Sequence, residues 1–349
     1  MSCVLVTGGA GYVGSHAVKA LTGRRTDVVV YDNLSAGHRT AVPGAKALVE
    51  GDIHDVGRVR ATIRDHRVDA VMHFAAWLSV GDSVKDPCGY YRNNVFGALS
   101  VLEAMVAEHV RYFVFSSTAA VFGDPVETPI SEGHPTSPIN PYGETKLAVE
   151  RALPHYEVAY GIRSVALRYF NAAGADPEGE LGEDHAPELH AIPRAIDAAI
   201  GRGTFAIFGD DYETPDGTCL RDYVHVTDLA SAHLLALDAL RGGAASTRYN
   251  LGNGRPTSVK DVVESVGRVL GRRVPYTLGP RRAGDPAALF ASSARIKREL
   301  GWRPRYEEID TIVETAWRWR ASHPNGYGDG TGSLCRASRE SSPTRCFRS

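Results

Sequence analysis

Close to its start the chain runs from an apolar stretch, Val4-Leu5-Val6-Thr7, straight into Gly8-Gly9-Ala10-Gly11-Tyr12-Val13-Gly14, and then into a helical pattern over 15–21. A strand, a turn with a glycine at every third position and a helix in immediate succession leave little choice of fold. Gly8 permits a sharp exit from the strand, and Gly11 lets the backbone come close to a pyrophosphate. Gly14 lets the helix lie against the sheet, and the turn, including Tyr12 and Val13, puts the helix N-terminal amides in front of the anion. Asp32 stands at the end of the next apolar run, where a carboxylate bonds the adenine ribose. A carboxylate there repels the additional phosphate of NADP, so the expected cofactor is NAD. Asp52-Ile53, at a third strand end, fits beside the adenine and fits an ordinary loop equally well on spacing alone.

The rest of the first half repeats this alternation. Apolar runs over 3–7, 28–31, 70–74, 112–116 and 164–167 read as buried strands, and stretches over 15–21, 56–66, 95–107 and 142–160 as helices. Strands separated by helices imply an α/β fold, a doubly wound parallel sheet of the Rossmann type. Beyond Asn171 the texture changes. Residues 172–188 are rich in Gly, Pro and acids and read as loop, helices are expected over 193–201 and 259–270, and strands near 205–208 and 274–278. The expected division is an NAD-binding domain over 1–171, rejoined by about 222–241, and a smaller α+β domain over 172–327, mainly for substrate. Residues 328–349, rich in Gly, Ser and Arg, are expected to be a disordered tail.

At 349 residues the chain is too long for one ordinary core. Its 39 Lys and Arg against 41 Asp and Glu leave a net charge of −2, which excludes a globally basic nucleic-acid binder. No apolar run approaches the ~18 residues of a membrane span. The first residues enter a strand with no basic segment before a long apolar stretch, so no signal peptide is expected. The five cysteines are scattered without CxxC spacing, as in a reduced, cytoplasmic protein lacking structural zinc. His73, His190 and His225 read as packed residues, and no Asp, Glu and His group has metal-ligand spacing, so no metal is expected.

Asn140-Pro141-Tyr142-Gly143-Glu144-Thr145-Lys146 opens a helix, and Tyr142 and Lys146, four apart, share one of its faces. An ammonium beside a phenol favours the phenolate, as does a positively charged nicotinamide nearby. Tyr142 is therefore the candidate base for a sugar hydroxyl, the partner that a hydride acceptor requires. Upstream, Ser116-Ser117-Thr118 ends a strand, and strand C-termini line the ligand crevice of a parallel sheet. Thr118 is the candidate to share a proton network with Tyr142; a hydroxyl-rich turn with no such role has the same sequence.

Together these pieces resemble the extended short-chain dehydrogenase/reductase family, over about residues 3 to 327, and within it the nucleotide-sugar 4-epimerases that act on UDP-glucose. The resemblance is carried by the glycine turn and by Tyr31-Asp32-Asn33-Leu34, Glu50-Gly51-Asp52-Ile53, His73-Phe74-Ala75-Ala76 and Tyr90-Tyr91-Arg92-Asn93-Asn94-Val95. It continues in Pro141-Tyr142-Gly143 with Lys146, Leu167-Arg168-Tyr169-Phe170-Asn171, Phe208-Gly209-Asp210-Asp211-Tyr212, Thr214-Pro215-Asp216-Gly217-Thr218 and Arg221-Asp222-Tyr223-Val224-His225-Val226. The resemblance implies that hydride leaves carbon 4 of the hexose for tightly bound NAD while Tyr142 takes the hydroxyl proton. The 4-keto sugar turns over, and the hydride returns to its other face. It also implies NAD contacts at Gly11, Tyr12, Asp32, Asn33, Asp52, Ile53, Phe74, Ala75, Asn93, Lys146 and Tyr169. Asn171, Phe208, Arg221, Arg282 and Asp285 would hold the UDP-sugar, and a homodimer through helices near 95–107 and 146–160 is implied as well.

Three departures from the family's commonest pattern stand out. Leu78 replaces a lysine that in many relatives follows the His-Phe-Ala motif, which removes one phosphate contact. Thr118 replaces a serine with the hydroxyl kept. Leu289 stands where relatives carry Tyr or a smaller residue in the sugar pocket, leaving tolerance of an N-acetyl group open. Ala119-Ala120 follow Thr118, so the acid pair that a 4,6-dehydratase needs to eliminate water is missing. Epimerases of UDP-N-acetylhexosamines and enzymes acting on UDP-glucuronate stay open, as does, more remotely, an NAD-sensing regulator without catalysis. Retention of Tyr142, Lys146 and Thr118 speaks against the regulator.

Overall fold

The computed structural model describes residues 2–282 and 286–328. Six short strands carry the first half: β1 (Cys3–Thr7), β2 (Asp27–Asp32), β3 (Ala47–Glu50), β4 (Ala70–His73), β5 (Tyr112–Ser116) and β6 (Arg163–Tyr169). With the strand Thr247–Leu251 they form one parallel sheet, in the order 247–251, β6, β5, β4, β1, β2, β3. Both faces are covered, which is why the strands read as continuous apolar runs. Successive side chains still part to opposite sides. Val4, Val6, Val30 and Val114 pack on one face with Val18 and Leu21 of the helix Tyr12–Gly23 and Leu229, Leu237 and Leu240 of the helix Val226–Arg241. Leu5, Val29, Val71, Phe113 and Phe115 pack on the other with Ile63, Leu102, Met105 and Leu153.

The chain crosses the sheet in one direction from β1 to β3 and in the other from β4 onward. The strand order therefore reverses between β1 and β4, and a crevice opens at the strand C-termini there. Register brings Thr7 beside both Tyr31 and His73, and His73 beside Phe115, so the residues that follow line one edge of that crevice. No helix among the described residues is long and apolar enough to cross a membrane.

Residues beyond 171 divide their packing. The helix Val226–Arg241 and the strand Thr247–Leu251 belong to the first core, whereas Ile192, Ile196, Val262, Val266, Ile312 and Val313 make a separate one. Those residues come from the helices Ala191–Ala199, Val259–Leu270 and Ile309–Ser322. The strand Phe205–Phe208 pairs in parallel with Tyr276–Gly279, and Asn171–Ala173 with Tyr223–His225. A third small sheet joins Thr257–Ser258, Leu220–Arg221 and Ala288–Leu289.

Sequence pattern misses several elements, among them the helix Ile309–Ser322 and two features that bear on the crevice. The seventh strand, Thr247–Leu251, carries only a short apolar end, Tyr249 to Leu251, and is recognisable only by its pairing with β6. The expected helix over 95–107 opens instead with a π-helical stretch, Tyr91–Phe96, before the α-helix Gly97–Ala107. Such insertions are frequent at functional sites, and this one carries Asn93 and Asn94. The expected tail from 329 onward lies outside the described residues.

Candidate active site

The glycine turn has the geometry of a ligand cradle. Gly8 adopts φ +70°, and a Cβ there would lie 2.4 Å from the Ala75 nitrogen. A Cβ on Gly14 would lie 2.2 Å from the Gly8 carbonyl oxygen, so the helix reaches the turn only because that atom is missing. At Gly11 the protein makes no such demand: an added Cβ meets only the Gly8 oxygen, at 3.4 Å. The constraint at Gly11 is therefore an external one, as expected where a pyrophosphate approaches. The helix Tyr12–Gly23 begins without a side-chain cap and without an acid in its first turn, so its first amides face an anion unopposed.

Asp32 has a second duty that the sequence did not reveal. Its carboxylate accepts from the backbone nitrogens of Ala10 (3.0 Å) and Leu34 (2.8 Å), tying the turn to the end of β2. Burial pushes its carboxyl up from the usual range, and those two hydrogen bonds pull it back. Each oxygen keeps accepting capacity for a ribose. At the neighbouring strand ends Asn33 donates to Asp52 (3.3 Å), and the other Asp52 oxygen accepts from the backbone nitrogen of His54. The Ile53 side chain is sunk in the core against Gly97, and Val13 likewise packs on the sheet. The Tyr12 hydroxyl donates to the Gly174 carbonyl (2.6 Å). For these three residues a cofactor contact falls to the backbone.

On the other side of the crevice, the Phe74 ring lies against His233, and the Ala75 nitrogen donates to Thr7. Asn93 donates to Asn94, whose buried amide also binds both backbone groups of Trp77 and the Thr145 hydroxyl. Leu78 is exposed and supplies no charge. His73 is fully packed, its Nδ1 2.7 Å from the Thr7 hydroxyl, and burial together with the Lys146 charge holds its imidazole down to about 3. His225 is packed too, stacked on Tyr306.

Tyr142 stands in the first turn of the helix Pro141–Tyr160, whose N-cap Asn140 accepts from the Gly143 nitrogen (2.9 Å). Thr118 caps the short 3-10 turn Ala119–Phe122 by accepting from Ala120 (3.2 Å), and its side chain hydrogen-bonds Tyr142. Lys146, one turn below Tyr142, is buried and donates to the Ser116 carbonyl (2.8 Å). The Ser116 hydroxyl lies 2.6 Å from the Tyr169 hydroxyl.

One expectation is corrected here. In the protein alone the phenol of Tyr142 is not pushed toward ionisation: burial raises it, and only the Thr118 hydrogen bond opposes that. Lys146 gives one of its three donors to the Ser116 carbonyl, and burial draws it down to about 7 against the pull of Glu150. Glu150, one turn further along the same helix, accepts from Ser117 and makes a buried, two-toothed ion pair with Arg168. The spacing Tyr142, Lys146, Glu150 was visible in the sequence, but the partners of Glu150 were not.

Among the residues expected to hold the sugar nucleotide, Leu289 lies beside Arg221 and Arg282 beside Phe208. Leu289 pairs in register with Arg221 and packs with Phe170 against Ala119, Val121, Phe122 and Leu147, directly behind Thr118 and Lys146. Arg221 donates to the carbonyls of Leu220 and Pro286. The Arg282 guanidinium lies 3.9 Å from the centre of the Phe208 ring. Asn171 binds the Asp222 carbonyl through its backbone and its side chain. Asp222 itself, fully buried, accepts from the nitrogens of Asn253, Gly254 and Ala291 and so joins the segments around Arg221 and Leu289. Asp285 lies outside the described residues.

A second correction concerns metal-ligating residues. The sequence shows no obvious group, yet Glu183, His185, Glu188 and His190 bring one ligand atom each within 4.8 Å of one another. The spacing E-x-H-x-x-E-x-H was there to be read; the loop that folds it together was not.

Comparison with known proteins places these features in context. The NAD dependent epimerase/dehydratase family matches residues 4–252. A UDP-glucose 4-epimerase of Halalkalibacterium halodurans is 51% identical over 325 residues, covering 93% of this chain and 97% of that protein. The crystal structure of UDP-glucose 4-epimerase from Brucella ovis in complex with NAD superposes with a TM-score of 0.89 at 52% identity, covering 91% of this chain and 98% of that one. That of the Bifidobacterium longum UDP-glucose 4-epimerase in complex with NAD+ and UDP superposes with a TM-score of 0.88 at 36% identity, covering 93% and 100%.

Proposed function

The chain belongs to the NAD dependent epimerase/dehydratase family, and on that premise we propose that it interconverts UDP-glucose and UDP-galactose, with Tyr142, Lys146 and Thr118 as its catalytic residues. The observation that carries the assignment of roles is the placement of Tyr142 in the first turn of its helix, one turn before the buried Lys146 and beside Thr118 at the end of β5, at the strand C-termini of the sheet.

The turn fits the cofactor: Gly8 and Gly14 leave a cradle that a Cβ would fill, and the helix amides beside them face an anion. Gly11, Tyr12 and Val13 offer their backbone to the pyrophosphate, Asp32 and Asn33 take the adenine ribose, and Asp52 and Ile53 flank the base. Phe74, Ala75, Asn93, Lys146 and Tyr169 complete the nicotinamide side. When bound, NAD+ supplies reversible acceptance of a hydride and is regenerated in each turnover.

Tyr142 accepts the proton of the 4-hydroxyl and returns it to the 4-oxygen once the keto sugar has turned its other face to the cofactor. Thr118 steadies that proton by hydrogen bonding to the phenol oxygen. Arg221 and Arg282 bind the diphosphate, for which guanidinium groups form paired bonds. Asn171, Phe208 and Asp285 frame the nucleotide, and Leu289 bounds the sugar pocket. Residues 1–171 with 222–241 serve NAD, and 172–327 mainly the UDP-sugar. The chain works in the cytoplasm and pairs with a second copy through the helical segments near 95–107 and 146–160, where Phe96, Val158 and Tyr160 are exposed.

Purified protein incubated with UDP-glucose, without added cofactor, should form UDP-galactose. UDP-N-acetylglucosamine and UDP-glucuronate in parallel decide how far Leu289 admits a larger group. Tyr142→Phe should lower turnover by roughly 10² to 10⁴, the usual worth of a positioned acid–base group, while leaving NAD content unchanged. Near-wild-type turnover in that variant would overturn the role of Tyr142.

A further inference from the structure

The loop before the helix Ala191–Ala199 holds a group of side chains that the epimerase chemistry leaves unused. Glu183 and Glu188 are carboxylates, His185 and His190 are imidazoles, and one ligand atom of each lies within 4.8 Å of the others. The two histidines both present Nδ1. The His185 nitrogen lies 3.0 Å from a Glu183 oxygen, the His190 nitrogen 3.5 Å from Glu188, and the His185 nitrogen 3.9 Å from Glu188. The contact of His190 with Glu183 is closer still. In a tetrahedral zinc site, with ligands about 2.0–2.1 Å from the metal, adjacent ligand atoms stand roughly 3.3 Å apart. Of the six edges such a site has, the His185–Glu183 and His190–Glu188 separations are near that spacing, and the 3.9 Å one runs to the second Glu188 oxygen. The His190–Glu183 contact must lengthen for a cation to take the centre.

Charge and burial agree. Without an ion, and against burial, the Glu183 carboxylate raises both imidazoles, so the four groups compensate one another. A cation binds by displacing those protons, after which two carboxylates and two neutral imidazoles carry −2, which one divalent cation neutralises. The Glu183 side chain is 7% exposed and that of Glu188 16%, so these are not solvated surface acids. Mixed imidazole and carboxylate donors suit first-row transition ions rather than magnesium or calcium. Four protein ligands leave no open position, the mark of a structural and not a hydrolytic site.

We propose that Glu183, His185, Glu188 and His190 form a closed four-ligand site for a divalent transition cation of the zinc class. The site clasps the 183–190 loop beside the cofactor turn. The His185 ring meets Tyr12 edge-on with centroids 6.2 Å apart, and Tyr12 in turn holds Gly174 through its hydroxyl. Asp184, between two of the ligands, anchors the same loop by accepting from His38 and from the Tyr327 nitrogen. A cation therefore fixes a segment that touches the first helix of the sheet on one side and leads into the helix Ala191–Ala199 on the other.

The test uses untagged full-length protein, stripped by a chelator, desalted and titrated calorimetrically with zinc chloride, with bound zinc measured by elemental analysis after gel filtration. Wild type should take up about one equivalent per chain and unfold at a higher temperature with zinc than without. His185→Ala and Glu183→Gln should each weaken binding at least roughly ten-fold, the scale on which even a supporting contact matters to a metal site. Glu188→Asp, which keeps a carboxylate, should retain the stoichiometry with lower affinity. Circular dichroism of the stripped variants separates a lost ligand from a lost fold. No saturable uptake by wild type would overturn the site and leave an ion-pair network only. Uptake unchanged in His185→Ala and Glu183→Gln would overturn it equally, by placing the cation elsewhere.

Discussion

Gly11→Ala and Gly14→Ala make a matched pair in which the same added methyl group should have opposite consequences. At Gly14 the new Cβ sits 2.2 Å from the Gly8 oxygen and 2.9 Å from the Gly9 Cα, and both obstacles are backbone. Helix and turn must part, an overpacking of about 1–3 kcal/mol. Unfolding entropy of about 2.1 cal/mol/K per residue gives roughly 0.7 kcal/mol/K for this chain, so 3 kcal/mol lowers the melting temperature by about 4 °C. At Gly11 the nearest atom is 3.4 Å away, an ordinary contact, and φ is −82°, which alanine adopts freely. Losing a glycine N-cap costs about 1 kcal/mol, or roughly 1.5 °C. The NAD response should be reversed. At 100 times its dissociation constant NAD stabilises wild type by about 2.7 kcal/mol, near 4 °C; a 100-fold weaker Gly11→Ala gains only about 0.4 kcal/mol from the same concentration. Thermal unfolding of stripped proteins with and without NAD, beside a direct NAD titration, reads both effects. A Gly14→Ala protein that melts like wild type, or a Gly11→Ala protein that binds NAD normally, would refute the division between packing and ligand approach.

Other substitutions probe what supports the site. Glu150→Gln leaves the Arg168 guanidinium buried without its counter-charge, at side-chain exposures of 2% and 6% for the pair. Stability should fall by about 3–5 kcal/mol, read in urea unfolding, and Arg168→Met combined with it should recover much of that loss. Burial raises the Asp222 carboxyl to about 6, above the usual carboxylate range of about 4. Because its folded value is the higher one, the folded chain holds the extra proton between about pH 4 and 6, so its contribution to stability is largest below pH 4 and declines as pH rises to 6. The melting difference between wild type and Asp222→Asn should therefore shrink over that window, by up to roughly 3 kcal/mol; a difference flat in pH would show that Asp222 does not titrate there.

What the sequence revealed was local, and the reason is geometric. A strand, a turn and a helix within twenty residues specify their own cradle, and residues four apart on a helix must share a face, so Gly8, Gly11, Gly14, Tyr142 and Lys146 could be assigned from spacing. Asp222 was illegible as a brace because its partners lie 31 and 69 residues away in other segments. The Glu150–Arg168 pair spans a helix and the next strand, and an arginine in an apolar run reads as an error until its carboxylate is placed. The strand Thr247–Leu251 has little pattern of its own and exists because β6 offers it an edge.

The same distinction between spacing and placement bears on the chemistry. Spacing puts an ammonium beside a phenol and suggests a phenolate; placement turns that ammonium to the Ser116 carbonyl and surrounds the phenol with protein. The chain alone therefore keeps Tyr142 protonated and Lys146 near its titration point at neutral pH. The glycine turn and the Tyr142–Lys146 helix, separated by more than a hundred residues, both meet the C-terminal end of one sheet. A positively charged nicotinamide held from the first would therefore lower the phenol of the second, which the protein's own groups do not do.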